Sequence, residues 1–249
     1  MKQAQALTAA TIRQVLGLRR AIIFGLATLA PALVFLLSSR ALSGDAALDR
    51  LLAMVVGLYF PLLVPIVALI ISASALGDER RDGTLSFIVL RPIPRSAIAA
   101  SKTLGAVLVA AGLTALGAAA VGIVYGFATG SWGIALPLVV AGIIASIVYA
   151  SIFVPLGFFT DRAVLIGLAF VFIFENGVVS ALSGLSSLSP WRIGMSAFAA
   201  LATDDVASQI SDTGIANLSG LGSALIKTVA IAALSIAVTT LVLRRRDLS

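Results

Sequence analysis

Long apolar runs separated by short polar stretches form the pattern of this chain. Six of the runs approach or exceed the roughly 20 residues that a helix needs to cross the hydrocarbon core of a bilayer. The intervening stretches carry most of the charged residues and several Gly and Pro residues, which are typical of loops and helix ends. We therefore predict an all-α integral membrane fold with six transmembrane helices, at residues 21–37, 51–76, 103–127, 133–159, 163–182 and 223–243.

The composition supports a bilayer environment. Hydrophobic residues make up 60% of the 249 residues and charged residues only 11%, which is too little polar surface for a water-soluble domain. The chain contains no Cys and no His, which excludes disulfides, Cys or His metal sites and a Ser-His-Asp triad. We predict one transmembrane domain over residues 1–249, surrounded by lipid, without a metal site or a catalytic residue.

The basic residues predict the orientation. With an even number of spans both termini lie on one side, and cytoplasmic termini place thirteen of the 17 Lys and Arg residues in the cytoplasm. Cytoplasmic loops of membrane proteins are enriched in Lys and Arg. We attribute the net charge of +6 to this bias and predict no nucleic-acid binding.

Two polar segments outside the spans have helical patterns. In residues 1–20, Ile12, Val15 and Leu16 fall on one helical face, as in a helix that lies in the membrane interface. In residues 183–222, the longest external segment, Ser189 occupies an N-cap position and Pro190 the first helical position. This external helix either dips into the outer leaflet or lies in a soluble loop.

The third run is rich in small residues. Gly105, Gly112, Gly117 and the GxxxG pair Gly122 and Gly126 permit close approach of another helix. The partner is either another helix of the same chain or a second copy.

The segment 77–102 joins the second and third runs and carries eight charged residues. Asp78 can cap a helix whose first turn contains Glu79, and Gly83 allows a break or a close backbone approach. A short helix can then run over residues 84–90, with Leu85 on its apolar face, before Pro92 and Pro94 end it. Two interpretations stay open: a docking surface for a partner, or a loop that follows the charge bias alone.

Further along this segment, Arg95 and Lys102 are expected at headgroup level, where the third span enters the membrane. If the segment docks a partner, Glu79, Gly83 and Leu85 should matter for coupling rather than for folding, because an exposed charge pair contributes about 1 kcal/mol or less.

Glu175 lies inside the fifth run and is followed by Asn176. A rise of 1.5 Å per residue from residue 163 places Glu175 roughly 18 Å into the membrane. An ionised carboxylate that faces lipid there costs several kcal/mol, so Glu175 should face the bundle interior, water or a partner. As a polar group at a helix end it either snorkels outward or hydrogen-bonds a neighbouring helix; alternatively, with Asn176, it lines the outer part of a translocation path or its gate.

The stretch ERRDGTLSFIVLRPIPRSAIAASK, which ends at Lys102, resembles the signature of permease subunits of ABC-2-type ATP-binding-cassette transporters. Its pattern is a Glu, three residues, Gly-Thr-Leu, a short apolar run, and then Pro, a basic residue and a Lys at the next span. The six spans, the basic amphipathic N-terminus and the Pro-capped segment before the last span resemble the same family over the whole length. The residues that this resemblance associates with ATPase coupling are Asp78, Glu79, Arg80, Arg81, Gly83, Thr84, Leu85, Pro92 and Arg95.

The resemblance implies an elbow helix at the N-terminus, a cytoplasmic coupling helix within residues 77–102 and a re-entrant external helix before the sixth span. It implies a multi-pass subunit of a bacterial or archaeal cytoplasmic membrane that pairs with a second permease copy, in a complex of two permeases and two ATPases. None of Lys2, Lys102 and Lys227 follows a Gly, so the chain has no phosphate-binding P-loop. It therefore binds no cofactor itself, and ATP and Mg²⁺ are expected on a separate ATPase subunit.

Export is the direction that the family analogy implies. Two other classes of protein compete with the interpretation as a transporter permease. An ion-coupled secondary transporter would need several buried ionisable groups, and Glu175 is the clear intramembrane candidate. A membrane-embedded enzyme would need a nucleophile and base or a carboxylate cluster, but Asp204, Asp205 and Asp212 are spread along an external loop without a partner motif. The transported substrate is not indicated by the sequence.

Overall fold

A computed structural model describes residues 2–39, 44–84, 93–178, 186–212, 215 and 218–245. Every regular element in these ranges is helical, which confirms the predicted all-α fold. The helices are α1 (Lys2–Val15), α2 (Leu18–Ser38), α3 (Asp45–Arg81), α4 (Arg95–Thr129), α5 (Ala135–Phe159), α6 (Ala163–Ala169, continued by a π-helical segment Phe170–Val178), α7 (Pro190–Leu201), α8 (Asp204–Asp212) and α9 (Leu221–Arg245), and a 3₁₀ turn occupies Ser186–Leu188.

Five of the described helices are long and apolar enough to cross a membrane, namely α2, α3, α4, α5 and α9. The predicted fifth span corresponds to α6, whose apolar part Ala163–Glu175 is shorter than the others. Residues 179–182, at the end of that prediction, lie outside the described ranges. The spans are thus found at the predicted places, while a sixth full-length span stays a prediction.

Helix α5 forms the centre of the bundle. It packs against α3, α4, α7 and α9, and 72% of the residues in its most apolar 18-residue stretch are buried. By contrast, only 22% of the residues in the most apolar 18-residue stretch of α2, and 17% of those in α9, are buried. The two outer helices therefore present apolar side chains to their surroundings, as helices in contact with lipid do.

The glycines of α4 serve packing within the chain. A Cβ on Gly117 would lie 2.4 Å from the Thr28 carbonyl oxygen of α2, and one on Gly122 would lie 2.6 Å from Ala135 of α5. Gly112, in contrast, has open space around it. The small residues thus let α2 and α5 approach the α4 backbone. This supports the interpretation that the partner of α4 is another helix of the same chain.

The N-terminal amphipathic helix is confirmed as α1, with Thr11 and Val15 fully buried against the bundle. It ends earlier than predicted, because the backbone leaves the helix before Gly17 and α2 begins at Leu18. Leu16 therefore lies just beyond the last helical residue and is exposed.

The segment predicted to be external contains a helix that packs inside the bundle. Helix α7 begins after Ser189 with Pro190 at its first position, as predicted. A Cβ on Gly194 would lie 2.8 Å from the side chain of Ala145, which is ten residues into α5 and so roughly 15 Å along it. This depth agrees with a re-entrant helix rather than with a helix in a soluble loop.

Candidate functional site

The end of α3 explains the first part of the charged motif. Gly83 has a φ of 67°, the left-handed conformation that Gly adopts without steric cost. The Thr84 N–H donates to the Glu79 carbonyl at 3.0 Å, and the Gly83 N–H donates to the Arg80 carbonyl at 3.3 Å. These two bonds form a Schellman motif that terminates the helix. The predicted break at Gly83 is therefore confirmed.

The prediction that a new helix starts at Asp78 is wrong. Helix α3 continues to Arg81, so Asp78 and Glu79 belong to its last turns instead of capping the next helix. The predicted helix over residues 84–90 falls almost entirely outside the described ranges, as do Leu85 and Pro92.

A buried ion pair joins α3 to α4. The Lys102 ammonium donates to Glu79 Oε1 and, at 3.2 Å, to Gln14 Oε1 of α1. Lys102 is 1% exposed and Glu79 is 9% exposed. The expectation that Glu79 makes a surface contact is therefore wrong, because both side chains point into the junction of three helices. The expected position of Lys102 at headgroup level stays a prediction.

A second, exposed set of charges surrounds this junction. Arg20 Nη1 donates to Asp78 Oδ2 at 3.1 Å, and Arg81 donates to the other oxygen of the same carboxylate. Arg80 pairs with Asp161 in the turn between α5 and α6, and it also donates to the Phe158 carbonyl at 3.0 Å. Isolated surface pairs of this kind each contribute about 0–1 kcal/mol. Their main value here is that they hold helix ends together.

The charged motif thus lies at one end of the bundle, in contact with the ends of helices that are distant in the sequence. Arg95, at the start of α4, donates to the carbonyl of Arg244 at the end of α9 at 3.0 Å. The charged end therefore contains residues from α1, α2, α3, α4, the α5–α6 turn and α9. Four consecutive residues at this end of the bundle are exposed: Arg81, Asp82, Gly83 and Thr84.

Sequence reasoning missed two members of this site, Gln14 and Asp161. Asp161 lies in the short polar break between the fourth and fifth apolar runs, and this break was the available signal. Gln14 gave no signal, because a polar residue on an interfacial helix is normally solvated.

Glu175 lies in a second polar cluster, between α5, α6 and α7. Its Oε1 accepts hydrogen bonds from Ser189 Oγ at 2.9 Å and from the Trp191 N–H at 3.0 Å, and its Oε2 accepts one from the Tyr149 hydroxyl. Trp191 is the second residue of α7, so the carboxylate satisfies a free N–H at the positive end of that helix. Ser189 stands at the N-cap position but makes no capping bond with its own side chain.

Glu175 is 2% exposed. Its contacts agree with the interpretation that it hydrogen-bonds a neighbouring helix, and its role in a translocation path stays a prediction. The side chain of Asn176 lies outside the described part of the structure. Within that part, no three Asp, Glu, His or Cys side chains are grouped closely enough to hold a metal ion.

Comparison with known proteins bears on these features as a whole. No curated protein sequence matches the chain. A family model described as ABC-2 family transporter protein matches residues 18–176, from the first residue of α2 to the π-helical segment of α6 that contains Glu175. The match covers more than half of the 249 residues and includes the charged motif at the end of α3. The chain is therefore a multi-pass membrane protein that belongs to the ABC-2 transporter family.

Proposed function

We propose that this chain is the permease subunit of an ATP-binding-cassette exporter and that it couples to a separate ATPase through residues 77–102. The observation that supports the proposal most directly is the family match over residues 18–176. The ATPase would bind ATP and Mg²⁺, because the permease has no phosphate-binding loop. The permease itself would form the path for the substrate.

The geometry of the charged end supports docking there. The exposed last residue of α3, Arg81, and the first residue of the turn after it, Asp82, offer both signs of charge to a partner. The Schellman motif at Gly83 holds this turn in a defined position relative to the helix. Force applied to the turn would reach α1 and α4 through Glu79 and Lys102, which join the three helices. The remaining predicted contacts, Leu85 and Pro92, belong to the same proposal.

The complex would contain two permeases and two ATPases in the cytoplasmic membrane of a bacterium or archaeon. Both permease termini and residues 77–102 would face the cytoplasm, and residues 183–222 would face outward. The basic residues support this orientation, because the charged end gathers Arg20, Arg80, Arg81, Arg95 and Arg244.

Thiol labelling on whole cells tests the orientation. The chain has no Cys, so Thr84→Cys and Ser211→Cys each introduce a single thiol at an exposed position. With a membrane-impermeant reagent, we expect labelling of the Ser211→Cys variant and protection of the Thr84→Cys variant until the cells are opened. The reverse pattern would contradict the proposed topology.

Charge reversal at the exposed turn tests docking. Asp82→Lys should weaken association with the ATPase roughly tenfold, because charge complementarity at an interface governs encounter and register. Asp49→Lys is the matched control, since Asp49 is also exposed and lies near the opposite end of the same helix. Co-purification and permease-stimulated ATP hydrolysis measure the effect. Equal losses from both variants would argue against docking at this turn, and the absence of any co-purifying ATPase with the wild-type chain would overturn the proposed function.

A further inference from the structure

A cleft of about 230 Å³ opens beside the charged end, between α2, α3 and the α5–α6 turn. Its outer part is lined by the charged residues Arg20, Asp78, Arg81 and Asp161. Its inner part is apolar and includes Ile23, Phe24, Ile70 and Val164. The proposed permease function does not account for this combination of charged rim and apolar interior.

The charged rim has unused hydrogen-bonding capacity of both kinds. Arg20 and Arg81 share the carboxylate of Asp78, yet their side chains remain 46% and 53% exposed. A guanidinium has five N–H donors, so each Arg keeps donors for an anionic group. Asp161 pairs with Arg80 but is 67% exposed, which leaves carboxylate oxygens open to a cationic donor. The four residues that line the rim carry no net charge, and they place donors beside an acceptor.

The apolar interior reaches well below the rim. Ile70 lies eleven residues before Arg81 on α3, which corresponds to roughly 16 Å along the helix. Gly157 of α5 packs directly on α3 there, because a Cβ on Gly157 would lie only 2.3 Å from the Ala73 carbonyl oxygen, so the two backbones close the floor of the cleft. On the opposite wall, Ile23 is 63% exposed. A narrow apolar groove of this depth suits a hydrocarbon chain, which a soluble phosphate ester does not have.

We propose that this cleft binds one phospholipid with a phosphoethanolamine headgroup. The phosphate contacts Arg20 and Arg81, the primary ammonium donates to Asp161, and one acyl chain lies along the groove. Arg side chains between membrane helices commonly bind lipid phosphates. The Asp161 carboxylate distinguishes ethanolamine from choline headgroups, because a primary ammonium can donate hydrogen bonds to it and a choline headgroup cannot. An anionic headgroup without an amine would place its extra polar group against Asp161 with no positive charge to offer.

Native mass spectrometry of the full chain in nanodiscs tests this proposal. The nanodiscs contain equal amounts of phosphatidylethanolamine, phosphatidylcholine and phosphatidylglycerol. We expect the wild-type chain to retain one phosphatidylethanolamine with roughly tenfold preference over each of the others, as hydrogen bonds between charged groups allow. Asp161→Asn should abolish this preference but retain phospholipid binding, and Asp161→Glu should restore it. Arg81→Gln should lower retention of all three lipids.

The control is Arg13→Gln, because Arg13 is exposed on α1 and does not line the cleft. This variant should retain phosphatidylethanolamine as the wild type does. A thermal melt of each variant separates loss of binding from loss of folding. Equal retention of the three lipids by the wild-type chain, a preference for phosphatidylglycerol, or an unchanged preference in Asp161→Asn would each overturn the proposal. Displacement of the lipid by an equal concentration of soluble phosphoethanolamine would overturn the assignment to a lipid.

Discussion

Glu79→Ala is expected to lower the free energy of unfolding by about 3–5 kcal/mol, which is the cost of leaving one member of a buried ion pair without its partner. Lys102 is 1% exposed, and of the two acceptors that the structure describes for its ammonium, this variant keeps only Gln14. This loss of stability would contradict the expectation that Glu79 matters for coupling to a partner rather than for folding. Thermal unfolding of the purified chain in detergent measures the change.

A double-mutant cycle isolates the pair. Lys102→Met should destabilise the chain by a similar amount, because Glu79 then becomes an unpaired carboxylate that is 9% exposed. The combination of Glu79→Ala with Lys102→Met should cost clearly less than the sum of the two single changes, since neither charge is left behind. Arg81→Gln is the matched control: its pair with Asp78 is exposed and should contribute about 1 kcal/mol or less. A native melting temperature for Glu79→Ala together with weakened ATPase binding would favour the docking interpretation instead.

Glu175→Ala is expected to release the start of α7 from the bundle. The change leaves three donors without their acceptor: the Tyr149 hydroxyl, the Ser189 hydroxyl and the Trp191 N–H. Hydrogen bonds to a charged group contribute about 1.5–3 kcal/mol each, but the losses overlap, so we expect roughly 3 kcal/mol of destabilisation. A membrane-permeant thiol reagent can detect the release at Ala197→Cys, because Ala197 is fully buried on α7. Labelling should be slow with Glu175 present and fast in the Glu175→Ala variant.

Two milder variants separate structure from transport. Tyr149→Phe removes one donor and keeps the ring, and Glu175→Gln keeps an acceptor for Ser189 and Trp191 without the charge. Each should cost about 1 kcal/mol and leave Ala197→Cys protected. Unprotected Ala197→Cys in the wild-type background would contradict the role of Glu175 in holding α7. Altered transport by a stable Glu175→Gln complex would support the prediction that the charge acts in the translocation path, and wild-type transport would refute it.

The charged motif shows how far local sequence information reaches. The stop of α3 at Gly83 and the start of α7 at Ser189 and Pro190 were predictable, because each depends on backbone conformations that a few neighbouring residues determine. The helix to which Asp78 belongs was not predictable in this way. Whether a helix ends before or after that residue depends on the packing of α3 against its neighbours, which local propensity does not describe.

The sequence by itself determined the bilayer as the solvent, the positions of the apolar helices and the helix ends that carry the basic residues. These properties follow from the hydropathy and charge of contiguous segments, and contiguous segments are what a sequence displays directly. Only the tertiary structure decided that Glu79 is buried against Lys102, and that Glu175 accepts hydrogen bonds from α5 and from the start of α7. The reason is physical: the burial of a side chain and the choice of its partner depend on which helix faces meet, and close contacts such as that of Gly117 with Thr28 set those faces across long separations in the chain.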